Sequence, residues 1–312
     1  MTQEYIPKGR AKQIARKMDK IDAASKLPPK KQLIKSRSLR KLISNKLSVI
    51  GIVIFTVIVL SSIFASVISP YPPGEVNLRE SLRAPSWEHP FGTDKLGRDV
   101  FSRVLHGGRI SILVGLGSAL GAAFVGVLFG SYCGYKGGLL DKTVMRISEV
   151  FMSFPQMILV LLLVSMVGQS LANLLIIFIL TGWGSVYRMT RSQMLSIREE
   201  EYVQALRAFG LNDFIICFKH MLPNAIGPIA VNITLSTAMF ILQETSLSFL
   251  GLGVPVQIAT WGNIINAANN MSILQNNWWI WLPVGAVISL FVLSINFIGD
   301  GLRDSTDPTQ MG

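Results

Sequence analysis

Charged residues are scarce in this sequence, and positions 245–299 contain none. Aspartate, glutamate, lysine and arginine make up 15% of the 312 residues, whereas 50% are hydrophobic. This is not the composition of an ordinary soluble domain. Two cysteines and three histidines leave no cluster with the spacing of zinc ligands. No G-x-x-x-x-G-K-[ST] string occurs, so the sequence offers no P-loop of its own and argues against a self-powered pump.

The positive charge is concentrated at the N-terminus. Residues 1–46 contain fourteen Lys or Arg and three acids, and the difference of +11 equals the net charge of the whole chain. A basic segment can bind nucleic acid. In front of an apolar run it is more typical of a cytoplasmic flank facing anionic lipid. We therefore expect membrane lipid, and no nucleic acid, as a partner of this segment.

Long uncharged runs predict an all-α integral membrane protein, because about 20 apolar residues suffice for a helix to cross the hydrocarbon. Six transmembrane helices are predicted, at 47–69, 110–135, 149–167, 171–190, 224–246 and 279–299. An even number places both termini on one side, and the basic segment makes that side the cytoplasm of a multi-pass cell-membrane protein.

The predicted sections follow from these spans. They are a basic cytoplasmic segment 1–46, the first span with an external loop 47–109, a core 110–302 and a cytoplasmic tail 303–312. Within the core, glycines four residues apart predict close helix packing, and Pro155 predicts a kink.

The chain is organised around a polar stretch at 201–223, which separates long apolar runs. Tyr202, Ala205, Leu206 and Phe209 recur at i, i+3, i+4 and i+7 and so give a helix one apolar face. A helix this short is not stable alone. It must pack either on the chain's own membrane helices or on a soluble partner, and the spacing leaves both interpretations open.

Three residues mark the ends of helices within this stretch. Gly210 suits a left-handed helix end, and Asn212 suits the N-cap of a second short helix. Pro223 is expected in the first turn of a new segment.

The same stretch resembles the EAA loop of ABC-importer permeases. The resemblance is carried by Gln204-Ala205-Leu206, Gly210 and Leu222-Pro223. The pattern E-Y-V-x-A-x-R-x-x-G of peptide-type permeases is matched by Glu201, Tyr202, Val203, Ala205, Arg207 and Gly210. The chain departs from the family at Gln204, where the first position is usually acidic, and at His220, where many members carry Ile.

In that family the loop is cytoplasmic and carries a coupling helix that sits in a cleft of the ATPase subunit. The resemblance implies that Leu206, Phe209 and Gly210 make the docking contact and that Glu201 and Arg207 orient the helix by charge. The full predicted coupling set is Glu201, Tyr202, Ala205, Leu206, Arg207, Phe209, Gly210, Leu222 and Pro223.

A second resemblance lies in the string HPFGTDKLGRDVFSRVLHGGRISI, which is similar to a signature of peptide- and nickel-type permeases of the second-subunit kind. Two interpretations stay open for its charged members. They form either an ion-paired surface helix that orders the external loop, or a contact with a substrate-delivering partner. The residues concerned are Asp94, Arg98, Asp99 and Arg103.

Glu244 is the only carboxylate near the outer end of a predicted span. It is expected either to line the translocation path or to pair with an arginine of a loop. An enzyme built on Glu244 or His220 would need a convergent acid–base set, and a proton-driven carrier would need charged pairs within the membrane. The sequence shows neither, nor the ring of repeated polar positions of a channel.

Together the resemblances imply a type I ABC-importer permease-like fold, with no catalytic residues and no metal. Such a chain forms half of the translocation path for oligopeptides or dipeptides; the alternative is a nickel or metallophore importer of the same family. The implied partners are a second permease subunit, two ABC ATPase subunits and an extracellular or periplasmic substrate-binding protein. This chain would bind no cofactor, because ATP is used by the partner subunits.

Overall fold

The structure, a computed structural model, describes residues 42–306, and the basic segment up to residue 41 and the last six residues lie outside that range. The described helices, in chain order, are α1 Lys46–Ile63, α2 Ala65–Ile68, α3 Val100–Lys136, α4 Gly138–Met152, α5 Gln156–Val167, α6 Leu171–Arg198, α7 Glu201–Ala208, α8 Asp213–Phe249, α9 Trp261–Ile265, α10 Met271–Asn276 and α11 Trp278–Thr306. Short 3-10 turns lie at Leu78–Glu80 and Asn266–Asn269.

Five of these helices are long and apolar enough to cross a bilayer: α1, α3, α6, α8 and α11. A sixth span results if α4 and α5 are counted together. The predicted all-α membrane architecture with six spans is therefore confirmed over residues 42–306, provided that this broken pair is taken as one span.

The centre of the bundle is the packing of α3 against α6, which depends on a stripe of glycines. A Cβ atom on Gly126 would lie 2.8 Å from the carbonyl oxygen of Trp183, and one on Gly130 would lie 2.8 Å from that of Tyr187. Gly134 approaches the carbonyl oxygen of Arg191 in the same way. Small residues at this spacing allow the two backbones to touch, as the sequence predicted.

The start of the second span was predicted ten residues too late. Helix α3 begins at Val100, capped by Asp99, whose carboxylate accepts a hydrogen bond from the backbone N–H of Ser102. The charged side chains in its first turns are tolerated because other parts of the chain supply hydrogen-bonding partners for them. Arg109, for example, donates to the carbonyl oxygens of Ser62 and Ile63 at the end of α1. The predicted section boundary at 109 therefore falls inside a helix.

The prediction of one kinked helix at 149–167 is also wrong, because this region contains parts of two separate helices. Helices α4 and α5 meet at an angle of 86°, and the break lies at Ser153–Pro155, where Pro155 precedes the first residue of α5. Proline disfavours a helical conformation in the residue before it, so the helix breaks instead of kinking. Helix α5 has 12 residues, about 18 Å, which is too short to cross alone.

Three further spans extend beyond their predicted ends. Helix α6 continues to Arg198, and α11 continues to Thr306, past the predicted boundary at 302. Helix α8 begins at Asp213, and its α-helical part Leu222–Phe249 has Pro223 in the first turn, as predicted. A π-helical turn at Ile216–Met221 leads directly into the α-helical part, and Pro223 lies in the first turn after it, where its missing N–H is tolerated.

We name the two ends of the bundle by what they carry. The α7 end holds α7, the C-termini of α3 and α6 and the start of α8. The loop end holds the segments 69–99 and 250–277, where the predicted partly helical outer loop contains α9 and α10.

Candidate functional site

Helix α7 has two apolar sides instead of the single predicted face. Val203 is fully buried and Leu206 is half-buried, both within a hydrophobic cluster that includes Met194 and Met221. This side fastens α7 to α6 and α8. Leu206, which was expected in the docking contact, also packs on the chain's own core.

The other side of α7 presents apolar atoms to its surroundings. The side chain of Phe209 is 80% exposed, Ala205 is exposed, and Tyr202 is partly exposed. Phe214 and Ile215, in the first turn of α8, are also exposed. We call these five residues the α7 surface. An apolar patch held on a rigid base is typical of a protein contact site.

The geometry of the turn after α7 follows the prediction. Gly210 has φ of +72°, and the N–H of Leu211 donates to the carbonyl oxygen of Leu206, as at a left-handed helix end. The side chain of Asn212 accepts from the N–H of Phe214 and caps α8. The two caps define the direction in which Phe209 projects.

Arg207 orients the loop, and its direct partner is the aromatic residue Tyr135. Its guanidinium lies 4.5 Å from the ring centre of Tyr135, and its Nε donates to the Tyr135 hydroxyl at 3.2 Å. That hydroxyl donates to Asp213 at 2.8 Å, and Lys136 lies 3.6 Å from the same carboxylate. Arg207 thus ties α7 to the C-terminus of α3 and the start of α8.

A second cluster at this end was not foreseen. The Asp141 side chain on α4 is nearly buried and receives two hydrogen bonds from Arg191, at 2.5 Å from Nε and 2.6 Å from Nη2. The Tyr187 hydroxyl adds a third at 3.0 Å. This cluster fastens α4 to the last turns of α6, and only residues 199 and 200 separate the end of α6 from α7.

At the loop end, the four charged signature residues lie in a turn and at the start of α3, not on a surface helix. Asp94 accepts from Nε of Arg98 at 2.7 Å and lies 3.9 Å from Nε of Arg103. Arg103 donates to the carbonyl oxygen of Pro73, while Asp99 lies 2.9 Å from Nδ1 of His89. Ion pairs therefore order the loop, as one of the two interpretations expected, but they are made by a turn and the start of α3 and not by a surface helix.

The same turn borders a cavity of about 380 Å³ at the loop end. Asp94, Arg98 and Arg103 form one wall, and Asn263 and Asn266 from α9 and the following turn form part of the other. The cavity brings one carboxylate and two guanidinium groups next to two amide side chains.

Glu244 neither lines a surface of the chain nor pairs with an arginine. Its side chain is 0% exposed and accepts hydrogen bonds from the hydroxyls of Ser248 at 2.9 Å and Ser111 at 3.4 Å, with a further bond from Thr260. The Ser111 hydroxyl also accepts from the N–H of Trp261. Glu244 is therefore the centre of a buried polar cluster that holds α9 between α3 and α8.

This placement predicts that Glu244→Leu lowers the folded yield and thermal stability of the purified chain, because three hydroxyls lose their acceptor in a buried site. Glu244→Gln keeps the carbonyl oxygen and should lose less. Transport per folded molecule should remain near that of the wild type for the Gln variant. Normal stability with strongly reduced transport in Glu244→Gln would instead favour a role in the translocation path.

Sequence comparisons identify the family. Residues 126–310 match the profile described as binding-protein-dependent transport system inner membrane component. This chain belongs to that family. Residues 36–85 match the N-terminal transmembrane domain of oligopeptide transport permease C. The family consists of transporter permeases, and the chain is a multi-pass membrane protein.

Individual relatives cover most of the chain. A protein of Brucella suis biovar 1 described as a peptide permease is 40% identical over 88% of this chain and 90% of its own length. The oligopeptide transport system permease protein OppC of Bacillus subtilis is 37% identical over 91% and 93%. The dipeptide transport system permease protein DppC of the same organism is 39% identical over 86% and 84%.

The structure groups most of the predicted coupling residues. Glu201, Tyr202, Ala205, Phe209 and Gly210 lie on the exposed side of the α7 loop, whereas Leu222 and Pro223 are half-buried at its base. Asp141, Arg191 and Tyr135 were missed. The available signal was the carboxylate of Asp141 and the guanidinium of Arg191, which lie near the ends of two neighbouring apolar runs. Their pairing could not be predicted, because both residues lie in parts of α4 and α6 that extend beyond the predicted spans.

Proposed function

We propose that this chain is a permease subunit of an ATP-binding-cassette importer for oligopeptides or dipeptides. It forms half of the translocation path together with a second permease subunit, and it binds no ATP itself. The observation that carries the proposal is the α7 surface, an exposed apolar patch that ends on Phe209 and rests on a rigid core. Two separate ATPase subunits and an extracellular or periplasmic substrate-binding protein complete the transporter.

In this mechanism, closure of the ATPase subunits on ATP displaces the α7 surface. The displacement passes to α6 through the short connection at 199–200, to α3 and α8 through Arg207, and to α4 through Arg191 and Asp141. These helices then tilt as a packed unit, and access to the path switches between the two sides of the membrane.

The loop end supports the proposed contact with a substrate-binding protein. Its charged turn is held in one conformation by the Asp94–Arg98 pair and by the Asp99–His89 contact. A preordered surface lowers the entropic cost of binding a soluble partner.

The decisive experiment is reconstitution of the chain with its second permease, ATPases and substrate-binding protein in vesicles. We expect ATP-dependent accumulation of a labelled dipeptide or tetrapeptide, competed by unlabelled peptide. Accumulation of nickel without accumulation of either peptide would replace the proposal by the nickel-importer alternative.

The proposed orientation gives a topology prediction. An impermeant thiol reagent added to intact cells should label Trp87→Cys and Met271→Cys at the loop end. It should label Leu139→Cys only after the membrane is opened, and Phe209→Cys only after the membrane is opened in cells that lack the ATPase subunits, which are proposed to cover Phe209. All four side chains are strongly exposed, and the native Cys133 and Cys217 are buried. Labelling of Phe209→Cys in intact cells would contradict the orientation.

A further inference from the structure

The cavity of about 380 Å³ at the loop end is lined by more positive than negative charge. Lys95, Arg98 and Arg103 contribute cations, and Asp94 contributes a carboxylate. The carboxylate is already occupied, because its Oδ2 accepts from Nε of Arg98 at 2.7 Å and its Oδ1 accepts from the backbone N–H groups of residues 96 and 98. The charges of Lys95 and Arg103 are therefore the ones available to a ligand.

Arg103 is the side chain that most clearly indicates such a ligand. It is only 2% exposed, yet its one hydrogen bond among residues 42–306 runs from Nη1 to the carbonyl oxygen of Pro73, at 3.1 Å. Its Nε lies 3.9 Å from Asp94, beyond hydrogen-bond distance. A guanidinium carries five N–H donors, and buried donors in folded proteins are paired. The remaining donors therefore suit an anionic oxygen bound in the cavity.

The other wall of the cavity offers hydrogen-bond acceptors. Nδ2 of Asn263 lies 3.0–3.1 Å from three backbone carbonyl oxygens of the segment 254–258. Nδ2 of Asn266 donates to two carbonyl oxygens in the last turn of α8, at 2.8 and 3.1 Å. These carbonyls define the orientation of both amides, because an amide oxygen in either place would face other oxygens. In the described part of the chain no hydrogen bond reaches either Oδ1, so both oxygens can accept from a ligand.

We propose that this cavity binds the C-terminal end of a short peptide. The terminal carboxylate lies at Arg103 and Lys95, and the N–H groups of the peptide donate to Oδ1 of Asn263 and of Asn266. The inference rests on the proposed import function. Both kinds of group occur in peptides of any sequence, so the site accepts substrates whose side chains vary.

The size and position of the cavity agree with this ligand. Its volume lies within the range of small-ligand pockets, about 300–1,000 Å³, and apolar side chains of Val100, Ile264 and Ile280 also line it. Lys95 and Val256 are exposed, so the cavity opens at the surface of the loop end. In the proposed orientation, a peptide leaving the substrate-binding protein meets the permease on this side. An acidic side chain of a partner protein or a lipid phosphate would match only the cations, and not the amide oxygens.

The first test is the binding of tritium-labelled trialanine and of its C-terminal amide to the purified complex of both permeases and the ATPases, in nanodiscs without the substrate-binding protein. The amide should bind at least about tenfold more weakly, because it loses the charge-assisted bonds of the carboxylate. Equal affinities for the acid and the amide would overturn the proposal.

The second test uses variants of the cationic wall. Arg103→Gln should weaken binding of the acid by about tenfold or more and bring the ratio of acid to amide affinity close to one, which a general loss of folding would not do. Lys95→Gln changes an exposed side chain, leaves the fold intact and should weaken the acid by about twofold to fivefold. Arg83→Gln is the matched control, since Arg83 is exposed at the loop end, pairs with Glu80 and does not line the cavity.

Other occupants of the cavity give different results. If Lys95→Gln and Arg103→Gln weakened binding of the peptide-free substrate-binding protein but not of trialanine, the cavity would hold an acidic side chain of that protein, and the proposal would be overturned. Loss of co-purified phosphatidylglycerol in Arg103→Gln, with trialanine binding unchanged, would overturn it in favour of a lipid phosphate. Peptide uptake by the wild-type complex in vesicles is measured separately. Binding without uptake would refute the import function, whereas uptake without preference for the acid would refute only this site.

Discussion

Replacing Phe209 by alanine is expected to leave the chain folded in the membrane and to uncouple ATP hydrolysis from peptide uptake. Phe209 is the most exposed aromatic residue of the α7 surface, at 80%, and among residues 42–306 its ring makes no contact with another aromatic ring. Its removal therefore costs little within the permease. In a protein interface, a desolvated aromatic anchor is typically worth about 2 kcal/mol or more, or about 30-fold in affinity.

The measurement is paired. ATPase subunits should co-purify with the Phe209→Ala complex in reduced amount, and the binding protein should stimulate ATP hydrolysis weakly in reconstituted vesicles. Phe209→Leu, which keeps an apolar side chain, should retain part of both.

Val203→Ala provides the matched control on the opposite side of α7. Val203 is buried in the chain's own core, so this variant should lower thermal stability while ATPase stimulation per folded complex persists. Full stimulation and full co-purification in Phe209→Ala would show that the α7 loop is only a connector.

The contrast between these two variants also shows what the sequence could predict. Periodicity located α7, and Gly210 and Asn212 located its end and the next helix start, because these signals are local. Periodicity could not decide which apolar residues face inward. Tyr202, Ala205, Leu206 and Phe209 share one stripe in the sequence, but the tertiary packing of α6 and α8 divides it. Leu206 packs half-buried beside Val203, and Phe209 is left outside.

Charge was the less reliable guide to helix ends. The predicted spans stop where charged residues appear, and four of the real helices, α3, α6, α8 and α11, continue through them. Arg103 and Arg109 on α3 and Arg191 on α6 are tolerated because each has an acceptor supplied by another part of the chain. Such partners come from distant positions and cannot be read from a local window of sequence.

Glu244 illustrates the same limit for the candidate sites. A lone carboxylate in an apolar run suggests a functional group. Its three hydroxyl partners come from α3, from α8 itself and from the segment before α9. Only the folded arrangement identifies it as part of a packing cluster.

The largest loss of stability is expected for Arg191→Leu. This change leaves the nearly buried Asp141 carboxylate with the Tyr187 hydroxyl as its remaining side-chain partner. Breaking one side of a buried ion pair costs about 3–5 kcal/mol, because an uncompensated charge remains in a poorly solvated site. The variant should show a strongly reduced folded yield and a lower unfolding temperature in detergent.

Three further variants separate the ion pair from simple loss of packing. Arg191→Lys keeps the charge but cannot make two parallel bonds to the carboxylate, so it should be intermediate. The double variant Asp141→Leu with Arg191→Leu removes both charges and should recover much of the stability, since apolar replacement of a whole buried pair is often nearly neutral.

Arg146→Leu removes an exposed arginine from the Arg146–Glu149 pair on α4 and should have no measurable effect, as exposed pairs contribute little. If Arg191→Leu were as stable as Arg146→Leu, the cluster would not hold α4 to α6, and the proposed transmission of movement from α7 to α4 would lose its physical basis.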